Sequence, residues 1–215
     1  MIVARDRLAF AADRRKVLQE SRALLARNPV FLDTETTGLH STDQILEICV
    51  LDLVGHVLLD TPVRPSVEIS PEAQAVHGLS AEMLADAPIW EHVRPELERV
   101  TQGRLIVIYN AAFDARMIDQ SDRAAEVEKT PALEVWCLMT AVAVWNGEPS
   151  IRGGGYRWLK LNDAAERLGV EVAGPRHRAR GDAETARRVL LTLASERDLG
   201  EKRWANWRFG HAYYD

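Results

Sequence analysis

The chain has 215 residues, of which 47% are hydrophobic and 27% charged, and its formal net charge at pH 7 is -5. This composition is typical of a globular protein with one well-cored domain. The negative charge argues against a protein that coats long nucleic-acid duplexes through charge alone. The sequence contains no run of about 18 uncharged apolar residues, so no membrane-spanning helix is predicted. Cys49 and Cys137 lie far apart in apolar segments and are interpreted as reduced core residues of a cytoplasmic protein.

The first third of the chain predicts one helix and then three antiparallel strands. Apolar residues recur at helical spacing over residues 4–27, and Asn28-Pro29 ends that helix. The second strand has apolar residues on both faces, which indicates a position inside a sheet. Gly55-His56 supplies the tight turn between the second and third strands. The three strands are predicted at residues 30–36, 44–54 and 57–63.

The rest of the chain alternates between helices and short strands. Ser80 and Asn110 are predicted N-caps of two of these helices. Helices are predicted at 80–87, 90–101, 110–121, 159–168 and 181–196, a strand at 104–109, and a segment at 132–145 that begins extended and becomes helical. This order predicts an α/β fold in which helices flank a mixed central sheet.

Three regions are expected along the chain. An N-terminal helical extension occupies residues 1–28, the α/β domain 29–199, and a C-terminal tail 200–215. The aromatic residues of the tail favour packing back onto the domain, because such a density of rings is rarely left in water. A partner-docking segment and a stacking platform for single-stranded bases are the alternatives. The aromatic residues of this tail are Trp204, Trp207, Phe209, Tyr213 and Tyr214.

The first predicted strand carries a pair of carboxylates. Asp33 and Glu35 are separated by one residue, and alternate side chains of a strand point to the same face. Two acids side by side in an apolar strand repel each other and lose hydration. A divalent cation between them relieves both costs, so the pair predicts a metal site.

Two further carboxylates stand at predicted helix starts. Asp114 shares a helix face with Met117 and Ile118, and Asp182 precedes an apolar stripe in the last helix. Each carboxylate could face the site, although an acid in a first turn also stabilises a helix through its dipole. His177 lies in a polar loop five residues before Asp182. It is placed either for proton transfer or as an ordinary surface residue.

Taken together, the motifs resemble the DEDDh 3′–5′ exonucleases, a group that includes DnaQ-like proofreading epsilon subunits and ribonuclease T-like enzymes. The resemblance covers about residues 29–196 and agrees with the α/β prediction, since the family has a ribonuclease H-like fold. The supporting blocks are Asp33-Thr34-Glu35-Thr36-Thr37-Gly38-Leu39, Ile45-Leu46-Glu47-Ile48, Ala75-Val76-His77-Gly78-Leu79, Tyr109-Asn110-Ala111-Ala112-Phe113-Asp114, and His177 with Asp182.

The resemblance implies a set of roles for these residues. Two divalent cations, Mg²⁺ or Mn²⁺, are held by Asp33, Glu35, Asp114 and Asp182, and His177 is the general base. Relatives with a catalytic tyrosine carry it four residues before the last aspartate, where this chain has Arg178, so the chain is of the histidine type. The expected substrate-binding residues are Thr36, Leu39, His77, Asn110, Phe113 and Arg178.

The expected function is therefore hydrolysis of single-stranded or frayed DNA from its 3′ end, which releases nucleoside 5′-monophosphates. An exoribonuclease of the same family is the nearest alternative, because the choice depends on contacts to the 2′-hydroxyl. A polymerase-associated accessory protein and a small-molecule phosphodiesterase are further alternatives, and a contact with a polymerase stays open.

Overall fold

The computed structural model describes residues 5–128, 133–151, 155–175 and 177–196 of the chain. Within these ranges helices and strands follow in an order close to the one predicted. They are α1 (Arg5–Ala26), β1 (Val30–Thr36), β2 (Ile45–Leu51), β3 (Val57–Pro62), α2 (Pro71–His77), α3 (Trp90–Thr101), β4 (Ile106–Ile108), α4 (Ala111–Ala124), β5 (Val135–Cys137), α5 (Leu138–Asn146), α6 (Leu161–Leu168) and α7 (Ala179–Ser195).

The five strands form one mixed sheet in the order β3-β2-β1-β4-β5. β1 lies at its centre, antiparallel to β2 on one side and parallel to β4 on the other. Pairing with β4 ends at Leu32, which lies opposite Ile108. The second half of β1 therefore has no strand neighbour on that side, and this open edge lies where Asp33 and Glu35 follow. The predicted mixed sheet is confirmed.

Helices cover both faces of the sheet. Phe31, Cys49 and Val107 belong to an apolar cluster with residues of α1, α5, α6 and α7, and this side is called the α7 face. Leu32 and Ile106 belong to a second cluster with residues of α3 and α4, and this side is called the α4 face. Because side chains alternate along β1, Asp33 and Glu35 follow Phe31 on the α7 face, whereas Thr34 follows Leu32 on the α4 face.

The predicted helix at 80–87 is wrong. Residues 81–86 form a succession of turns instead, with backbone hydrogen bonds from Leu84 to Ala81 and from Ala87 to Leu84. These bonds join residues three apart, as in tight turns, whereas an α-helix is built from bonds between residues four apart.

A helix that the sequence analysis missed precedes this segment. In α2, the Ser70 hydroxyl accepts a hydrogen bond from the Ala73 amide, and Pro71 occupies the first turn. Gly78 ends the helix with φ of 74°. These are ordinary start and stop signals, and they could have been recognised in the sequence.

The N-terminal helix α1 packs on the α7 face. Val17 and Leu18 are buried in the same cluster as Trp145 and Leu190, and the Arg22 guanidinium donates to the Ala194 carbonyl at 2.9 Å. The predicted aromatic tail lies outside the described residues, and the three-region division stays a prediction. In the described part of the chain, every helix is too short or too polar to cross a bilayer.

Candidate active site

Three carboxylates meet on the α7 face of β1. Asp33, Glu35 and Asp182 each place a carboxylate oxygen within 4.8 Å of the others. The first two come from alternate positions of β1, and the third comes from the first turn of α7. The prediction that Asp33 and Glu35 lie on the same face of the strand is thus confirmed. Of the two carboxylates predicted at helix starts, Asp182 belongs to this group.

Burial and mutual repulsion hold these acids in an unfavourable environment. Burial, followed by the charges of Asp114 and Asp182, raises the pKa of Asp33 well above its usual range. Burial and the Asp182 charge raise the pKa of Glu35 to about 8. Such shifts arise where carboxylates crowd without a compensating cation. In the absence of a cation, burial and crowding therefore oppose the ionisation of these acids, and a bound cation would favour their charged forms.

The α7 helix directs Asp182 towards this cluster. Its apolar stripe of Ala186, Val189 and Leu193 is fully buried, as the spacing predicted. Burial raises the pKa of Asp182, while the charge and backbone of His177 oppose that rise. Glu184 points elsewhere and forms ion pairs with two arginines on its own helix.

Asp114 reaches β1 from the opposite side. It lies in the first turn of α4, is 4% exposed, and accepts a 2.8 Å hydrogen bond from the Thr34 hydroxyl. Burial raises its pKa to about 7, and the bond from Thr34 opposes that rise. Asp114 stands outside the group of three carboxylates within mutual ligand distance, although its charge acts on Asp33. The structure therefore brings the fourth predicted ligand near the site but turns it towards Thr34.

His177 lies at the entrance to α7. Its side chain is exposed, two residues before the helix begins, and its φ is 56°. A non-glycine residue in this left-handed region is uncommon and is often found at functional sites. The charge and the backbone of His177 both act on Asp182, so this residue lies near one carboxylate of the cluster.

The sequence analysis gave no role to a fifth carboxylate, Glu47. It lies opposite Glu35 in the antiparallel register of β1 and β2, and it is 5% exposed. It binds the guanidinium of Arg178 through both oxygens. A charged residue within an otherwise apolar strand was the available signal. Its partner could not be read from the sequence because the contact joins β2 to the start of α7.

Three of the predicted substrate-binding residues surround the end of β1. Thr36 is buried and donates to the Gly38 carbonyl at 2.8 Å. Leu39 is 72% exposed in the following loop. His77 is buried at the end of α2, where its Nδ1 accepts from the Leu79 amide at 3.0 Å. Thr36 and His77 thus carry structural contacts, and Leu39 is presented to solvent.

Two more residues of this set lie at the start of α4. Asn110 is exposed and occupies the N-cap position, but its side chain caps nothing among the described residues, so the predicted side-chain cap is wrong. Its backbone dihedrals (φ -116°, ψ 72°) deviate from those of ordinary N-caps. Phe113 is partly exposed, with the guanidinium of Arg116 at 5.3 Å from its ring centre.

The donor set suits hard divalent cations. Carboxylate oxygens are the ligands that Mg²⁺ and Mn²⁺ prefer, and the cluster of Asp33, Glu35 and Asp182 offers one from each residue. The raised pKa values show that the site is under-compensated in positive charge. The residues present therefore fit a divalent metal centre.

A mixed five-stranded sheet with clustered carboxylates at its central strand agrees with the ribonuclease H-like fold that the sequence motifs implied. The family model described as an exonuclease, RNase T, matches residues 30–190. An uncharacterised exonuclease of Escherichia phage 186 is 36% identical over 183 residues, covering 83% of this chain and 94% of the relative. The chain therefore belongs to the exonuclease family.

Two further comparisons agree with this assignment. The DNA polymerase III epsilon subunit of Pasteurella multocida is 28% identical over 178 residues, covering 76% of this chain and 67% of the subunit. Among solved structures, exonuclease X in complex with 5′ overhanging duplex DNA superposes with a TM-score of 0.58 and 26% identity. That match covers 82% of this chain and 97% of the other. The chain is a nuclease with an acidic cluster that can bind metal.

Proposed function

We propose that this nuclease removes nucleotides from the 3′ end of DNA, single-stranded or frayed, in a reaction that depends on two divalent cations. The observation that carries the proposal is the group formed by Asp33, Glu35 and Asp182, together with the exposed His177, whose charge acts on Asp182. The DNA substrate is supported by the names of the relatives, which include polymerase III epsilon subunits and an exonuclease bound to duplex DNA.

The reaction needs a water molecule activated and a phosphodiester held in place. Bound Mg²⁺ or Mn²⁺ would supply positive charge to the scissile phosphate and make water more acidic. Asp33, Glu35 and Asp182 would hold these ions, and Asp114 would complete the ligand set from the α4 face. The rigid strand and helix that carry these side chains fix their positions relative to the phosphate.

The exposed ring of His177 takes the proton of the attacking water on a ring nitrogen. The water oxygen bonds to phosphorus, and the bond from phosphorus to the 3′ oxygen of the preceding nucleotide breaks. That oxygen takes up a proton, so the products are a nucleoside 5′-monophosphate and a chain shortened by one nucleotide. Leu39 is exposed and Phe113 is partly exposed, and these two residues are proposed to contact the terminal base.

The direction of the reaction is tested with one oligonucleotide labelled at either end. With Mn²⁺, a 3′ label should appear at once as mononucleotide, while a 5′ label should give a ladder of shortened chains. Release of the 5′ label as mononucleotide from the start would show the opposite direction. Matched DNA and RNA oligonucleotides in the same assay measure the proposed preference, which faster digestion of RNA would overturn.

Single-residue variants test the site. Asp33→Ala and Asp182→Ala should reduce hydrolysis to the background, whereas Asp119→Asn, which removes an exposed acid of α4, should leave it unchanged. An excess of chelator should also abolish hydrolysis by the unmodified protein. Full activity in either active-site variant, or in chelator, would contradict the proposed site.

A further inference from the structure

Arg178 was predicted to bind substrate, but its contacts in the folded chain point to another role. Its guanidinium donates to Glu47 through Nε at 3.1 Å to each oxygen and through Nη2 at 2.5 Å to Oε1. The donors that would grip a phosphate most directly in a forked arrangement are therefore engaged by a carboxylate of the same chain.

The buried position of Glu47 opposite another acid makes a cationic partner necessary. It is 5% exposed on β2 and lies directly opposite Glu35, so two acids face each other across the strand pair. Like charges in that arrangement destabilise a sheet, and a buried carboxylate without a partner is costly. Arg178 supplies the neutralising charge and keeps the Glu47 oxygens occupied beside the acidic cluster.

The same carboxylate also holds the start of α7. The Ala179 amide, one of the unpaired donors of the first turn, donates to Oε2 of Glu47 at 2.9 Å. Arg178 occupies the N-cap position, and its carbonyl accepts from the Asp182 amide at 3.0 Å. One side chain of β2 thus fixes the residue after His177 and the helical turn that carries Asp182.

We propose that Glu47 and Arg178 form a positioning pair that holds His177 against the carboxylate cluster, and that Arg178 acts through this pair instead of binding substrate. The left-handed backbone of His177 is unfavourable for a residue with a Cβ and needs neighbours that enforce it. The bond from Arg178 to Glu47 provides that restraint immediately after the histidine. The inference rests on the proposed role of His177 as proton acceptor.

The test compares Glu47→Gln, Arg178→Met and the double variant in steady-state hydrolysis of a 3′ end. Because misplacing a catalytic group by about 1 Å can cost about 100-fold, we expect each variant to lower kcat about 10- to 100-fold with KM within about threefold. The double variant should be no slower than the slower single variant, since both break one contact. Arg178→Lys, which keeps the charge but loses the fork, should recover part of the loss.

The decisive comparison uses a His177→Ala background. Adding Arg178→Met to His177→Ala should cause no further loss of kcat if the pair acts through the histidine. A further loss would show that the pair acts elsewhere in the site, and a raised KM with unchanged kcat would restore Arg178 to substrate binding. Either result overturns the positioning role while leaving the nuclease assignment intact.

A measurement independent of activity separates this inference from the proposed function. Hydrogen exchange of the peptide that spans residues 177–182 should be faster in Arg178→Met than in the unmodified protein, with the rest of the sheet unchanged. Arg180→Met is the matched control, because Arg180 is exposed and pairs with Asp60 at 3.4 Å. Unchanged exchange in Arg178→Met would contradict the restraint even for a protein that cleaved no oligonucleotide.

Discussion

Thr34 stands between Asp33 and Glu35 on β1, yet its hydroxyl donates to Asp114 on α4 at 2.8 Å. The two flanking acids point to the α7 face, and Thr34 points to the α4 face. Asp114 contacts Thr34 from the first turn of α4, beyond the point where pairing of β1 with β4 ends at Leu32. The strand β1 is therefore close to helix carboxylates on both faces of the sheet, Asp182 on the α7 face and Asp114 on the α4 face.

Replacing Thr34 by Val should weaken the enzyme most at low pH. The hydroxyl opposes the burial that raises the pKa of Asp114 to about 7. Its removal raises that pKa further, so a smaller fraction of Asp114 is ionised near neutrality, and activity relative to the unmodified protein should recover as the pH rises. We also expect a loss of about 1–3 kcal/mol of unfolding free energy, typical of a buried charged group that loses its donor.

The measurement is a pH–rate profile at a limiting Mn²⁺ concentration, where protons compete with the metal for Asp114, with denaturant unfolding for the stability. Thr34→Ser keeps the hydroxyl and serves as the control. A profile for Thr34→Val that coincides with the unmodified protein would show that this hydrogen bond does not set the ionisation of Asp114.

Glu35→Gln should stabilise the protein in chelator at high pH. Burial and the Asp182 charge raise the pKa of Glu35 from 4.5 to about 8. Between these values the folded state holds more protons than the unfolded state, so stability falls as the pH rises through that interval. Removing the charge removes the penalty, and the melting temperature of the variant should exceed that of the unmodified protein by several degrees at about pH 9 and by less at about pH 5.5.

Glu184→Gln on α7 should destabilise the protein, in contrast to Glu35→Gln. Its ion pairs with Arg187 and Arg188 lower the pKa of Glu184. Its stabilising contribution is present above the unfolded pKa and is lost only as the pH falls towards the folded value. This variant should therefore melt lower than the unmodified protein at both pH values, and equal shifts for the two variants would contradict the assigned sign.

Gly181→Ala should displace Asp182. A Cβ at position 181 would lie 2.6 Å from the Ala173 carbonyl oxygen and 3.0 Å from that of Pro175. Both neighbours are backbone atoms, so the first turn of α7 must move, and this cost exceeds the gain of about 1 kcal/mol from replacing glycine in a helix. We expect a lower melting temperature and a loss of nuclease activity per folded molecule.

Gly103→Ala is the control for Gly181→Ala. Gly103 has φ of 67°, and among the described residues no atom lies within 4 Å of the place that a Cβ would take. Alanine there should reduce stability through backbone strain but leave the specific activity unchanged. Equal specific activities for the two alanine variants would show that the start of α7 tolerates the displacement.

The local sequence pattern was sufficient to predict in which direction the carboxylates on β1 and α7 point. The period of two in β1 placed Asp33 and Glu35 together, and the apolar stripe of α7 directed Asp182 inwards. The contacts of Thr34 and Glu47 could not be predicted in this way. They depend on which helix covers which face and on the register between β1 and β2, and both are set by tertiary packing. The turns at 81–86 show the converse error, because a pattern that predicted a helix forms only bonds between residues three apart.

The carboxylate cluster joins an early strand to the last described helix, since Asp182 enters only with α7. During synthesis, a growing polypeptide that has released β1 from the ribosome still lacks this carboxylate and the histidine before it. The complete constellation forms only after α7 has emerged and packed on the sheet. The emerging chain therefore has an incomplete carboxylate cluster until α7 has been synthesised and has packed on the sheet.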